Sequence, residues 1–235
     1  RGKHVTGVQT CALPIYPTNR TARVQPGVRN LAISDAVAHL GLYYAPDPSS
    51  QIACSIGGNV AENAGGIHCL KYGLTVHNVL KLEVVLTNGQ RVTLGGDTPD
   101  TPGYDLLALL NGSEGMLGIV TEVTVRLLPR PVTAQALLAV FDEVTQAGDA
   151  VAAVIASGIV PAGLEMMDNL AIRAAEEFAA CGYPIDAASI LIFELDGTEP
   201  EVSQQIDRVT GLLPEKVSRE GRASRPAAAR LNVWA

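Results

Sequence analysis

The fold is decided by the stretch Pro46-Asp47-Pro48-Ser49-Ser50-Gln51-Ile52-Ala53-Cys54-Ser55-Ile56-Gly57-Gly58-Asn59-Val60-Ala61-Glu62-Asn63-Ala64-Gly65-Gly66. It holds two glycine pairs, two asparagines, two prolines and several small residues. Glycines and small residues let a backbone approach a ligand closely. Asn, Ser and backbone N–H groups supply donors for phosphate or ring acceptors. The stretch therefore predicts a wall built against a large, flat, anionic cofactor.

Composition sets broad limits on the rest of the chain. The 235 residues are 47% hydrophobic and 17% charged, which suits one large folded domain or two small ones. The net charge of -7 argues against binding to nucleic acid. No apolar run is long enough for a transmembrane segment. Cys54, Cys69 and Cys181 show neither C-x-x-C spacing nor a disulfide framework, so a reducing, cytoplasmic setting is expected.

The two ends of the chain differ in character from its middle. Residues 5–15 look like the in-frame translation of a sequencing adapter, so residues 1–16, with Cys11, are set aside as a non-native scar. Residues 218–230 are rich in Arg, Ala and Pro, and the chain stops abruptly at Trp234-Ala235. We therefore expect an internal fragment of a longer protein.

Hydrophobic periodicity divides the rest into two parts at Arg130-Pro131. In the first part Asn30 is expected to cap a helix that ends before Gly41, and Asn88-Gly89 predicts a hairpin. The expected strands there are residues 22–25, 80–86, 91–94 and 119–129, and the expected helices are residues 30–40 and 105–110.

The second part shows strands alternating with helices. The expected strands are residues 134–141, 164–167 and 189–195, and the expected helices are residues 143–157, 169–180 and 199–213. This order predicts a ferredoxin-like unit with one inserted helix, lacking its last strand. The fold class is therefore α+β.

Four strings carry the chemistry of the first part. They are Pro46-Asp47-Pro48 with Ser55, the segment from Gly57 to Gly66, Lys71-Tyr72-Gly73, and Gly112-Ser113-Glu114-Gly115-Met116-Leu117-Gly118-Ile119. A glycine pair by itself is usually a turn, and the spacings fit neither a P-loop nor a Rossmann fingerprint. On composition alone, cofactor binding and structural turns therefore both stay open.

Together, the four strings resemble the vanillyl-alcohol-oxidase, or PCMH-type, FAD-binding family, and within it the flavoprotein subunits (D type) of bacterial glycolate oxidases. The resemblance runs from about Arg23 to about Leu213. It implies that residues 17–131 are the C-terminal part of an FAD-binding domain, truncated at its N-terminus. Residues 132–235 would be the N-terminal part of a partial ferredoxin-like substrate, or cap, domain.

The resemblance also implies FAD as cofactor and assigns residues to it. Asp47 and Ser55 would lie along the pyrophosphate and ribityl region, and Asn63 near the isoalloxazine. The full implied set is Pro46, Asp47, Ser55, Gly57, Gly58, Asn59, Ala61, Glu62, Asn63, Ala64, Gly65, Glu114, Gly115, Gly118, Ile119 and Val120. No metal ligand is assigned.

Other residues invite chemistry but have simpler explanations. His68 and His77 suggest covalent flavin attachment or metal binding, yet a lone His is usually a hydrogen-bonded structural residue. Cys54 and Cys69 are expected to be small buried hydrophobes rather than nucleophiles. In the family-like string Glu165-Met166-Met167-Asp168, Asp168 is expected to cap the following helix. Arg173 could face a carboxylate substrate, but a solvated helix position is favoured.

Two parts of the family's machinery do not occur in this sequence: an upstream R-G-x-G-T-x-x-x-G-G loop and the downstream H-x-G-D-G-N-x-H and E-H-G-I-G strings. The catalytic base is therefore left unassigned. The resemblance implies a parent enzyme that oxidises a small 2-hydroxy acid, glycolate to glyoxylate, by hydride transfer to flavin N5.

Electrons would pass to an iron–sulphur subunit and a second flavoprotein-like subunit, in a complex on the inner face of the plasma membrane. The alternatives are a D-lactate or D-2-hydroxyglutarate dehydrogenase, and a non-catalytic FAD-fold assembly subunit or inactive fragment.

Overall fold

The strand predicted over residues 80–86 is present over Val79–Val85, and it lies inside a five-stranded antiparallel sheet. The structure is a computed structural model that describes residues 14–98, 102–213 and 217–218. The chain divides into two units between Arg130 and Pro131. Each unit is built on its own main sheet, so each is described separately.

The first unit combines short helices with two sheets. Its strands are β1 (Ile15–Tyr16), β2 (Thr21–Val24), β3 (Leu42–Tyr43), β4 (Val79–Val85), β5 (Arg91–Gly95), β6 (Ile119–Arg126) and β7 (Leu128–Pro129). Its helices are α1 (Asn30–Val37), which continues into a 3₁₀ turn (Ala38–Leu40), α2 (Ile56–Glu62), α3 (Cys69–Tyr72), α4 (Thr75–Asn78) and α5 (Leu106–Leu110).

The main sheet of this unit has the strand order β1-β2-β6-β4-β5, and β3 pairs separately with β7. In β4 the side chains of Leu82 and Val84 are buried while those of Lys81 and Glu83 are half-buried, which is the period of a strand with one face on the core. Ile33 and Val37 of α1 and Ile56 and Val60 of α2 pack into the same core.

The predicted hairpin between β4 and β5 is present. Gly89 adopts a left-handed φ of 81°, and its amide donates to the carbonyl of Leu86 at 2.8 Å. The Asn88 side chain accepts from the Gln90 amide at 2.9 Å. The glycine therefore provides the positive φ that this turn needs.

The prediction that Asn30 caps α1 is wrong. Arg29 occupies the N-cap position, and Asn30 is the first helical residue. The Asn30 side chain is instead buried: its Nδ2 donates to the Pro46 carbonyl at 2.9 Å, and its Oδ1 accepts from Asn59 Nδ2 at 2.8 Å. The amide thus joins three separate segments inside the unit, because a buried polar group must find its partners within the protein.

The second unit contains β8 (Thr133–Phe141), α6 (Val144–Ala156), β9 (Gly163–Asp168), α7 (Asn169–Ala179), β10 (Ser189–Gly197), α8 (Glu199–Leu212) and β11 (Val217–Ser218). Its antiparallel sheet has the order β11-β8-β10-β9, which is the ferredoxin-like arrangement with α7 inserted between the second and third strands. The prediction that the last strand is lacking is wrong, since β11 pairs with β8 in short form.

The core of the second unit lies mainly between the sheet and the helices α6 and α8. Leu191, Phe193 and Leu195 of β10 are fully buried there with Val154 and Val202. On the opposite face, Ile190 packs with Ile172 of α7 in a smaller cluster. The all-buried pattern of β10 explains why its sequence is almost continuously apolar.

We predict that Asn59→Ala lowers the free energy of unfolding by about 1–3 kcal/mol, because it leaves the buried Asn30 Oδ1 without its donor. Urea denaturation followed by circular dichroism measures this. The control is Gln90→Ala, which removes an exposed amide side chain. Equal stability of the two variants would show that the buried amide pair does not stabilise the unit.

Candidate functional site

Two segments of the first unit converge on a groove of about 430 Å³. Helix α2 and the residue before it form one side, and the segment from Leu110 to Val120 forms the other. The lining residues are mostly small or aliphatic: Pro26, Gly27, Ser55, Gly57, Gly58, Val60, Ala61, Leu110, Ser113, Gly115, Gly118, Ile119 and Val120.

Helix α2 forms despite its glycine pair because its first turn is fixed from outside. Ser55 is the N-cap, and its Oγ accepts from the Gly58 amide at 3.2 Å. The Gly57 amide donates to the Pro26 carbonyl at 2.8 Å, and a Cβ at Gly57 would lie only 2.6 Å from Pro26 Cβ. Glycine at position 57 therefore allows a close backbone approach, and the expected glycine-rich wall is a short helix.

The second side of the groove is tied directly to α2. The Gly112 amide donates to the Val60 carbonyl at 2.8 Å, and the Glu114 amide donates to the Ala61 carbonyl at 2.9 Å. These bonds close the C-terminal end of α2, where carbonyls lack partners within the helix. The two strings that the sequence singled out separately are thus hydrogen-bonded neighbours.

Gly118 sets the entry of the second segment into β6. A Cβ there would lie 2.6 Å from Val84 Cγ1 and 3.0 Å from the Val85 carbonyl oxygen. The next residue, Ile119, is 70% exposed although it lines the groove. Gly118 thus packs closely against β4, and the exposed side chain of Ile119 provides an apolar surface in the groove.

Eight of the residues expected at the cofactor line this groove. They are Ser55, Gly57, Gly58, Ala61, Gly115, Gly118, Ile119 and Val120. Sequence reasoning did not assign five further lining residues: Pro26, Gly27, Val60, Leu110 and Ser113. The Pro26-Gly27 turn and Ser113 could have been found from their composition, whereas Val60 and Leu110 read as ordinary core positions.

The remaining eight expected residues do not line the groove. Asn59 and the Pro46 carbonyl belong to the buried amide network with Asn30. Asn63 ends α2 in a left-handed conformation (φ 50°), and its Oδ1 accepts from the Val76 amide at 2.9 Å. The Ala64 carbonyl accepts from Thr75 Oγ1 at 2.7 Å.

The other expected residues that do not line the groove are Asp47, Glu62, Gly65 and Glu114. Asp47 Oδ2 lies 2.5 Å from His68 Nδ1, and its Oδ1 accepts from the His68 amide at 3.2 Å. A Cβ at Gly65 would lie 2.9 Å from a Leu74 methyl carbon. Glu62 and Glu114 are exposed, and Glu114 has a left-handed φ of 53°.

The electrostatic character of the groove is neutral. Among the residues that the structure describes, its lining includes no Lys, Arg, Asp, Glu or His. Polar side-chain groups come from the hydroxyls of Ser55 and Ser113. An anionic ligand in this groove would therefore be held by dipoles and hydroxyls rather than by a countercharge.

Two titratable groups of the first unit have raised pKa values because they are partly or fully desolvated. Desolvation raises the pKa of the Tyr44 hydroxyl, which lies beside Thr75. Desolvation also raises the pKa of the Cys69 thiol, whose sulfur accepts from the Gly66 amide. A thiol with a raised pKa is a poor nucleophile. Cys54 and Cys69 are both half-buried, so the prediction that they are buried is wrong.

The other candidate residues have structural partners. His77 Nδ1 accepts from the Leu74 amide at 3.0 Å. Asp168 caps α7, as predicted, by accepting from the Ala171 amide at 2.8 Å. Arg173 is exposed and donates to Asn169 Oδ1 at 2.9 Å. Within the described ranges, no group of three or more His, Cys, Asp or Glu residues could hold a metal ion.

Among the described residues, no helix combines the length and the hydrophobicity that crossing a membrane requires.

Two known families match this chain, one mainly within the first structural unit and one almost entirely within the second. Residues 10–95 match the family described as "FAD binding domain", and residues 130–235 match "FAD linked oxidases, C-terminal domain". The second match continues past Leu213, where the resemblance was expected to end. The groove segment from Leu110 to Val120 lies between the two matches.

Individual proteins extend these matches. The chain is 63% identical over 223 residues to the glycolate oxidase subunit GlcD of Escherichia coli (strain K12), an alignment that covers 95% of the chain and 45% of the relative. It is 44% identical over 201 residues to the glycolate oxidase subunit GlcD of Bacillus subtilis (strain 168), covering 85% and 43%. The D-lactate dehydrogenase of Anaerostipes hadrus is 35% identical over 182 residues, covering 77% and 37%. The chain thus spans less than half the length of these relatives.

A solved structure shares the fold. An alkyldihydroxyacetonephosphate synthase superposes with a TM-score of 0.76 at 20% identity, covering 93% of this chain and 42% of that one. At this identity the likeness concerns architecture alone. The two family matches and the 63% identity show that the chain belongs to the PCMH-type FAD-linked oxidases, whose cofactor is FAD.

Proposed function

We propose that the groove between α2 and the segment from Leu110 to Val120 receives part of the FAD. In this proposal residues 17–131 are the C-terminal part of the FAD-binding domain, and residues 132–235 are the N-terminal part of the substrate domain. The observation that carries the proposal is the convergence of the two glycine-containing strings on one neutral groove. Neither string alone would form it.

The residues present fit such a group. A volume of about 430 Å³ lies within the range of about 300–1,000 Å³ that is usual for ligand sites, and it suits a part of a dinucleotide. Gly115 has open space where a side chain would otherwise stand. The exposed Ile119 offers an apolar surface for an aromatic ring.

The chain's residues bind and orient in this proposal. Ser55 already accepts the Gly58 amide, so its hydroxyl hydrogen is left to donate toward a ligand oxygen. The Gly57 and Asn59 amides donate to the carbonyls of Pro26 and Ser55, so Gly57 contributes close approach rather than a hydrogen bond. Four of the expected residues would support FAD binding indirectly, because their contacts fix the segment that lines the groove: Asp47, Asn59, Asn63 and Ala64.

We propose that the full-length protein oxidises glycolate to glyoxylate. When bound, FAD supplies the acceptor for the hydride that leaves C2 of the substrate, while a base takes the hydroxyl proton. We assign that base to no residue of this sequence. The support for glycolate is that the relatives at 63% and 44% identity are glycolate oxidase subunits, whereas the D-lactate dehydrogenase is 35% identical.

We also propose that the protein works as one subunit of a complex, since the name of the glycolate oxidase relatives describes a subunit. The partners in this proposal are an iron–sulphur subunit, which receives the electrons, and a second flavoprotein-like subunit. The complex would lie on the inner face of the plasma membrane. Co-purification of the tagged protein, with iron and labile sulphide analysis, tests this arrangement.

We predict that Gly57→Ala weakens FAD binding roughly tenfold or more. The added Cβ meets Pro26, so α2 must move against the Pro26-Gly27 turn, at a strain cost of about 1–3 kcal/mol. The measurement is the dissociation constant from titration of the apo-protein with FAD. Gly148→Ala is the matched control, since it is also a helical glycine but has nothing within 4 Å of the added carbon. Equal FAD affinity of both variants would contradict the proposed site.

We predict that kcat/KM with glycolate exceeds that with D-lactate by about tenfold or more, because one methyl group in a fitted pocket discriminates by this amount. The assay follows reduction of an artificial dye by the FAD-loaded full-length protein. A preference for D-lactate would support the dehydrogenase alternative. With FAD bound, turnover of D-2-hydroxyglutarate alone would support that dehydrogenase, and turnover of none of the three acids would support the non-catalytic subunit.

A further inference from the structure

The two ends of the groove wall meet in one carboxylate–imidazole pair. Asp47 precedes the wall and His68 follows it, 21 positions later in the chain. Both oxygens of Asp47 are engaged by His68, Oδ2 with the ring Nδ1 at 2.5 Å and Oδ1 with the backbone amide at 3.2 Å. Because an ionised carboxylate only accepts hydrogen bonds, Nδ1 carries the proton in this pair.

The pair is largely buried and lies where the segments around positions 47 and 66 pack closely against each other. The side chains of Asp47 and His68 are only 17% and 21% exposed. A Cβ at Gly66 would collide with the backbone and carboxylate of Asp47. The Gly66 amide is held in turn by the Cys69 sulfur. The segments around positions 47 and 66–69 therefore cannot separate without losing several contacts at once.

The contacts that fix α2 differ in kind. Asn30 holds Asn59 and the Pro46 carbonyl through neutral amides, and the Val76 amide and Thr75 hydroxyl hold Asn63 and Ala64. The bond from His68 Nδ1 to Asp47 Oδ2 is an ion pair or a charge-assisted hydrogen bond. It therefore differs from the amide contacts in carrying charge.

We propose that His68 is a positioning residue for the FAD groove and that Asp47 acts on FAD through His68, not by touching it. The inference rests on the FAD groove proposed above. Neither residue lines the groove, yet the segment between them supplies Ser55, Gly57, Gly58, Val60 and Ala61 to it. The Asp47–His68 contact joins the two ends of that segment and so reduces the number of conformations that the segment adopts without FAD. Less conformational entropy is therefore lost when FAD binds.

The test measures the dissociation constant of FAD from three variants of the full-length protein, each prepared without FAD: Asp47→Asn, His68→Ala and the double variant. Each single substitution is expected to raise the dissociation constant on the order of tenfold, and the double variant no further, since both remove the same contact. His68→Asn keeps a donor near the position of Nδ1 and is expected to restore part of the affinity. Asp35→Asn and His39→Gln, on the exposed surface at α1, are the controls and leave it unchanged.

Three results would overturn the inference. Additive losses in the double variant would mean that Asp47 contacts FAD itself. Unchanged affinity in both single variants would remove any role for the pair. A fall in the melting temperature of the apo-protein without rescue by His68→Asn would mark a purely structural contact. If the unsubstituted protein takes up no FAD, the groove proposal fails, which is a separate outcome.

Discussion

The candidate site depends on one close approach, that of the first turn of α2 to the Pro26-Gly27 turn. The Gly57 amide donates to the Pro26 carbonyl at 2.8 Å, and there is no room for a side chain between them. This contact replaces the stability that a glycine-containing helix of seven residues lacks by itself. Because α2 is fixed here at one end and to Gly112 and Glu114 at the other, its exposed face can form a preformed wall.

The groove is lined by neutral groups. The groove is lined by aliphatic side chains, glycines and two serine hydroxyls. A flavin ring offers a flat apolar face with polar edges, so small residues and backbone suit it better than charged side chains do. The acidic net charge of the chain is consistent with this, since binding through such a surface needs no basic patch.

Periodic segments could be predicted closely from the sequence. The alternation in β4, the Asn88-Gly89 hairpin and the apolar β10 each follow from local pattern, because burial on one or both faces determines their residue types. The single strand expected over residues 119–129 is wrong in its extent, since β6 ends at Arg126 and Leu128–Pro129 pairs with β3 in a separate sheet. Helix α2 was harder to predict, since Gly57 and Gly58 disfavour a helix and the contacts that fix it include bonds to residues distant in the chain, such as Pro26 and Gly112. Asn30 matched a helix cap in sequence, but its partners Pro46 and Asn59 are distant in the chain. The short edge strand β11 had no pattern long enough to find.

The most direct test of the central claim is an experimental structure of the FAD-loaded full-length protein. We expect flavin or pyrophosphate density in van der Waals contact with Gly57 and Ile119, on the groove side of α2. We also expect that Asp47 remains hydrogen-bonded to His68 and out of contact with FAD. FAD bound elsewhere, with the groove between α2 and the segment from Leu110 to Val120 filled by protein side chains, would contradict the account.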